Sequence, residues 1–250
     1  MSSHGITPHG HVESLESRTL LSVSLDNGIL SVEGTRRSDV IVMQNSDDDR
    51  GVLQVSVNGD VSEYDYDVIS SVKIQSGRGE DRIVINEDNG LVTAAREIDS
   101  GWGGDYVQGG LDRDTIYGGP DNDTISGRNS EDIIYGGPGN DQIDGGGGSD
   151  TIQSEAGNDF VEGNDGNDFI NGGDGNDHLD GVYGNDFIDG EDGNDDIVGC
   201  FGDDTLNGGS GNDMISGNDG GDLLDGDAGV DTLDATNDDE ITDIDVNASN

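Results

Sequence analysis

Between Ser100 and Asp234 the apolar positions of the chain recur at one fixed interval of nine residues. The segments Gly136–Asp144 (GGPGNDQID), Gly163–Asn171 (GNDGNDFIN) and Gly208–Ser216 (GGSGNDMIS) show the unit. Its eighth place is always Val, Ile or Leu, from Val107 and Ile116 through to Leu224 and Leu233. The last three places therefore read outward–inward–outward, which predicts a very short strand with one buried side chain. Glycine stands first in nearly every unit and fourth in most, with asparagine frequent at the fifth place. Both residues enter left-handed backbone conformations at low cost, so the first six places predict a tight turn. A strand that short cannot hold a sheet by itself. Stacked units can, when each strand pairs in parallel with its equivalent on the next rung, about 4.8 Å away.

The same period places an acid in every unit. The sixth place is Asp105, Asp114, Asp123, Asp132, Asp141, Asp150, Asp159, Asp168, Asp177, Asp186, Asp195, Asp204, Asp213, Asp222 and Asp231 in turn. Residues 100–234 are thus read as a repeat array.

Residues 22–99 have a different texture. Leu30–Val32, Val40–Val42, Val52–Val57, Val61–Tyr64, Val68–Ile74 and Ile83–Ile85 are short runs rich in branched side chains and predict strands. Asn58-Gly59 between two of them is a hairpin signal. Gly34–Val42 (GTRRSDVIV) and Ser76–Val84 (SGRGEDRIV) look like worn copies of the later unit, each with aspartate sixth and an apolar residue eighth. The region is expected to form a partly antiparallel N-terminal β cap over the first rung, since a repeat array needs atypical ends to cover its core. Residues Asn86–Asp99 are expected to be a loop, because Asp81 and Asp105 are not separated by a multiple of nine. Residues 1–21 read as a flexible tail, and residues 235–250 as a C-terminal cap and tail, with Ile241, Ile244 and Val246 as candidates for a last strand.

Charge then narrows what the array can be. The 250 residues carry 10 basic and 56 acidic side chains, a formal net charge of -46. A chain so charged repels itself when compacted, so it stays unfolded or folds around cations. Nucleic acid and anionic membranes are poor partners for it. Lys73 is the only lysine, which excludes a phosphate-binding GxxxxGK[ST] loop. Cys200 stands alone, so neither a disulfide framework nor a thiolate zinc site is available. No apolar run approaches the roughly 20 residues of a membrane span. Met1–His11 is polar and Leu20–Leu25 is short, so a conventional secretory signal is not expected. His4, His9 and His11 have no partner carboxylates at regular spacing. There is no HExxH or GxSxG and no histidine beside a candidate nucleophile, so the chain is not expected to be an enzyme.

One buried aliphatic per nine residues is little against the entropy of ordering them, and stacked aspartates add repulsion. A bound cation would convert that repulsion into attraction. Turns rich in carbonyls and carboxylates offer hard oxygen ligands, which suit Ca²⁺ better than zinc or copper, while Mg²⁺ demands a stricter octahedron.

The unit resembles GGxGxDxUx, the RTX or haemolysin-type calcium-binding nonapeptide, over a little more than half the chain. The resemblance implies an all-β fold, a right-handed parallel β-roll with two units per turn and calcium between turns on the same side. It makes the fifteen sixth-place aspartates metal ligands, completed by backbone carbonyls. Asp105 would share an ion with Asp123, Asp114 with Asp132, and so on to Asp213 with Asp231, giving roughly 13 ions. Asp112, Asp121 and Ser130 depart from the fourth-place glycine, and Arg128, Glu155, Val182, Glu191 and Cys200 stand second. The sites near Arg128 and Val182 fit the pattern least. Leu15–Ser22 (LESRTLLS) resembles the Leu-Glu-Pro-Arg-x-Leu-Leu motif of exported bacterial proteins, with Ser17 in place of proline.

Together these features predict a secreted or cell-surface bacterial protein, loose at low calcium and folded in external calcium. The alternative is an accessory module of an exported enzyme or adhesin. Alternate units fall on opposite sheets, so one outer face is expected to carry Thr115, Ile133, Thr151, Phe169, Phe187, Thr205 and Leu223, with Tyr117 and Tyr135. The other is expected to be mostly polar, with Gln142, His178 and Asp196. The Phe169/Phe187 face is the candidate contact surface for a partner or a second copy.

Overall fold

The computed structural model describes residues 22–46, 51–86, 95–235 and 239–242. Apart from one 3-10 turn at Tyr66–Val68, the regular structure is all strand. Alternate units feed two sheets. Asp114–Tyr117, Ile133–Pro138, Thr151–Ala156, Phe169–Asp174 and Phe187–Asp192 follow one another in the first, and Thr124–Asn129, Gln142–Gly147, Phe160–Asp165 and His178–Tyr183 in the second. Every pairing within the array is parallel, with an offset of eighteen residues, such as Ile134↔Ile152 and Ile143↔Val161. This is the stacking of parallel strands that the period predicts, in the β-roll arrangement that the resemblance implies.

The eighth-place side chains from Val107 to Leu224 are buried and form one core cluster between the two sheets. Leu233, on the last rung of its sheet, is only partly buried.

The N-terminal segment continues both sheets without a break. Ser22–Asp26 and Ile29–Glu33 form an antiparallel hairpin through Asn27 (φ 50°) and Gly28 (φ 86°). The second strand of that hairpin then pairs in parallel with Ser71–Gln75. In the other sheet Val40–Asn45, Val52–Val57 and Asp60–Asp65 form an antiparallel meander. Its second turn is Asn58 (φ 53°) and Gly59 (φ 89°), the positive pair that a hairpin of this type needs. The meander joins the array through Val40↔Arg82. The expected strand Val68–Ile74 begins only at Ser71.

The expected loop Asn86–Asp99 needs correction. Ala95–Asp99 is a strand, paired in parallel with Ser71–Gln75 on one side and with Asp114–Tyr117 on the other. The period therefore resumes one unit before Ser100, with Arg96 at its sixth place and Ile98 at its eighth. Arginine in the place of the periodic aspartate conceals this unit in the sequence.

At the other end Glu240–Ile241 adds a short parallel strand to Leu223–Asp225. Ile244, Val246, the tail histidines and most of LESRTLLS lie outside the described residues. Among the described residues, no helix is long and apolar enough to cross a membrane.

Candidate metal centre

Within each unit the sixth and eighth places lie two residues apart at the entry to a strand, so both side chains point to the same, inner side. The aspartates consequently enter the tube with the aliphatic row. From Asp105 to Asp222 none is more than 3% exposed.

Each carboxylate is tied to the rung before it. The N–H of Asp105 donates to Oδ1 of Asp123, and Asp123 to Asp141, Asp141 to Asp159, Asp159 to Asp177, and Asp177 to Asp195, at 2.7–2.8 Å. A second column runs from Asp114 through Asp132, Asp150, Asp168, Asp186 and Asp204 to Asp222 at the same distances. The expected partners are thus adjacent along each column.

The other oxygen is left over. Oδ2 is buried without a hydrogen-bond partner in Asp105, Asp123 and Asp132, and again in Asp141 and every sixth-place aspartate from there to Asp222. A buried acceptor without a donor is costly, and more so when charged. Burial pushes these carboxyls up to about 8 in Asp123 and Asp132, about 7 in Asp159, Asp168, Asp195 and Asp204, and about 6 in Asp141, Asp150 and Asp186. The N–H bond from the preceding rung opposes the shift, and repulsion from neighbouring acids adds to it in most.

The turns supply further oxygen. At Gly127 the place a Cβ would take lies 2.5 Å from Asp132 Oδ2 and 2.7 Å from the Gly145 carbonyl oxygen. At Gly136 the corresponding distances are 2.6 Å to Asp141 Oδ2 and 2.9 Å to the Ser154 carbonyl. A methyl at the first place would crowd a carboxylate of its own unit and a carbonyl of the next rung; where serine stands there, at Ser100 and Ser154, its hydroxyl donates to that carbonyl, of Gly118 and Gly172, at 2.8 and 2.7 Å. Among the described residues no three Asp, Glu, His or Cys side chains converge on one point. A cation here would be held by columns of single carboxylates together with backbone carbonyls. An all-oxygen set of anionic and carbonyl donors, with orphaned buried acceptors, fits a hard divalent ion of the calcium type.

A profile of the RTX calcium-binding nonapeptide repeat matches residues 99–134, 118–152, 126–161, 153–182, 172–199 and 199–233. The chain belongs to this family. Its repeats bind calcium. A comparison with curated proteins gives no match.

Against the RTX pattern, Arg128 and Val182 leave the carboxylate geometry unchanged. Both adopt the positive φ of a second-place residue, 81° and 73°, and Oδ2 of Asp132 and Asp186 is unpaired as elsewhere. The Arg128 guanidinium reaches the Ile85 carbonyl at 3.2 Å. Asp231, at the C-terminal end, accepts from Asp213 at 3.0 Å and is only partly buried.

Two residues outside the predicted set join the columns. Asp81, the sixth place of a worn copy, is 3% exposed, donates to Asp105 Oδ1 at 2.7 Å and has an unpaired Oδ2. Asp239 accepts from the Asp222 N–H at 3.1 Å, offset by seventeen residues, which concealed it from a strict period of nine. Asp114 differs, since both of its oxygens have donors within the protein.

The fifth-place asparagines do something the sequence reading assigned to backbone freedom. None of Asn122, Asn140, Asn158, Asn176, Asn194 and Asn212 has positive φ. Instead the Oδ1 of each accepts the backbone N–H eighteen residues later, at 2.7–3.1 Å. This outer ladder runs opposite in sense to the inner aspartate ladder.

Proposed function

We propose that the protein is a secreted or cell-surface structural element whose roll folds on binding several calcium ions. The unpaired, buried Oδ2 atoms carry this reading, because an uncompensated row of them is an unfavourable folded state that a divalent cation would make favourable. Fourteen such sixth-place carboxylates, from Asp81 to Asp222, set the scale of the ion number, close to the roughly 13 that pairing of units implies. Binding of this kind is also folding, so the chain is loose where calcium is scarce, as inside a cell, and ordered outside it. The LESRTLLS motif supports export, and no catalytic role is assigned.

The outer faces are where attachment would occur. Phe169 and Phe187 stack at 5.1 Å on neighbouring rungs and are 41% and 38% exposed. We assign contact with a partner or a second copy to this face. Aromatic pairs are not confined to it, however. Phe160 stacks on His178 at 4.9 Å in the other sheet, and Tyr183 stacks on Phe201 at 5.2 Å.

Circular dichroism during a calcium titration, with Mg²⁺ as control, tests the proposal. Coil should convert to β-structure with calcium alone. Fully formed β-structure in excess chelator at neutral pH would refute it.

A further inference from the structure

One sixth-place residue of the roll is not an acid. Arg96 is the register partner of Asp114, and its side chain is fully buried. In the strands beyond it, the same register runs through Val72 and Leu30, both buried. Going down this column the inward residues are therefore apolar, then cationic, then a row of carboxylates.

We propose that Arg96 is a built-in cation that takes the place of a metal ion at the N-terminal end of this column, so that calcium binding there begins at Asp132 and not at Asp114. The inference rests on the calcium reading above. Nη1 of Arg96 donates to Asp114 Oδ1 and to the Asp112 carbonyl, each at 3.2 Å, and Nη2 lies 3.6 Å from Asp112 Oδ2. The guanidinium presses on the turn, with Nη1 2.6 Å from where a Cβ of Gly110 would stand. That turn also has a different conformation. Second-place residues from Gly119 to Asp227 have positive φ, whereas Gly110 does not. Its N–H donates instead to Asp114 Oδ2 at 2.7 Å. Both oxygens of Asp114 are thus satisfied, and the one buried acceptor beside them that lacks a hydrogen bond, Asp112 Oδ2, faces the Arg96 guanidinium at 3.6 Å.

The other column ends in the same way. At Asp39, in the first worn copy, the second-place N–H of Thr35 donates to Oδ2 and the Asn58 amide donates to Oδ1, both at 2.6 Å. Inward donation by the second-place N–H therefore accompanies each of the two carboxylates, Asp39 and Asp114, whose oxygens both find donors within the protein. An arginine at the second place does not do this, because the Arg128 guanidinium reaches the Ile85 carbonyl and Asp132 Oδ2 stays unpaired. Arg96 succeeds because the sixth place delivers its guanidinium into the gap between rungs, where it stays charged and needs an acidic partner.

The test counts calcium bound to the full chain by calorimetric titration and by elemental analysis after dialysis. Arg96→Asp should bind one ion more than the parent. The double variant Arg96→Met with Asp114→Leu, which replaces the buried pair by apolar groups, should bind the same number. Asp168→Asn should bind one fewer. A parent chain that binds no calcium sinks the calcium reading itself. A parent that binds calcium while the double variant loses an ion, or a folded Arg96→Asp chain with an unchanged count, overturns the role of Arg96. Should a variant fail to fold, hydrogen exchange on the parent, followed as calcium is withdrawn in steps, decides. The Gly110 and Asp114 amides should stay protected while those of Asp150 and Asp168 exchange, and equal exchange would overturn the assignment.

Discussion

The backbone N–H of Asp168 donates to Oδ1 of Asp186 at 2.8 Å, while Oδ2 of Asp186 is buried with no partner in the protein. One oxygen thus ties two rungs together and the other is left without a donor. Replacing Asp186 by alanine removes both at once. The midpoint calcium concentration for folding should rise by at least about tenfold, or about 1.4 kcal/mol. A calcium titration followed by circular dichroism checks this, and an unchanged midpoint would count against the column as the binding element.

Acidity should compete with calcium. Burial raises the sixth-place carboxyls from Asp105 to Asp222 above the ordinary 3.8 in the folded chain, up to about 8 at Asp123 and Asp132. A group raised on folding stabilises the folded state below its unfolded value, and that contribution is lost as pH rises through the folded value. Without metal, the roll should therefore be most stable near pH 4 and lose stability between about pH 4 and 8. With calcium the trend reverses, because the ion needs the deprotonated carboxylate and displaces protons. Proton release on calcium binding at pH 6–7, measured in weakly buffered solution, and a tighter apparent affinity at pH 8 are the expected results.

Glycine at the first place should be sensitive and glycine at the third tolerant. A methyl at Gly172 would stand 2.6 Å from Asp177 Oδ2, whereas one at Gly147 would have no neighbour closer than 3.9 Å. Gly172→Ala should weaken calcium binding by displacing that carboxylate, with Gly147→Ala close to the parent. Equal affinities for the two variants would mean that the carboxylate is not held where the ion binds.

Core packing should matter even when calcium is saturating. Ile170 is fully buried between neighbours on adjacent rungs, Ile152 and Ile188. Ile170→Ala should cost about 2–5 kcal/mol, visible as a lower melting temperature with ion number unchanged.

Phe169→Ser combined with Phe187→Ser should reduce self-association or attachment to the native surface while the roll still folds in calcium. Sedimentation analysis and a cell-surface binding assay would show it. Loss of folding alone, with attachment intact per folded molecule, would assign the pair to sheet stability.

The strict period made the array legible, because one buried aliphatic and one aspartate at fixed places allow little besides stacked parallel strands, and Asn58-Gly59 announced its hairpin in advance. Asn27-Gly28 carried the same signal. Composition and spacing also limited the donors on offer to hard oxygens. Which oxygen of each aspartate is left unpaired is not written in the order of residues, since it depends on the next rung donating its N–H from eighteen positions away. The same holds for Arg96, Asp81 and Asp239. Their roles follow from the register between strands, which an insertion between Asn86 and Ala95 and a shift of one residue near Asp239 change without altering local pattern. A local sequence dictates which way a side chain points, but only the stacked turns decide what it meets there.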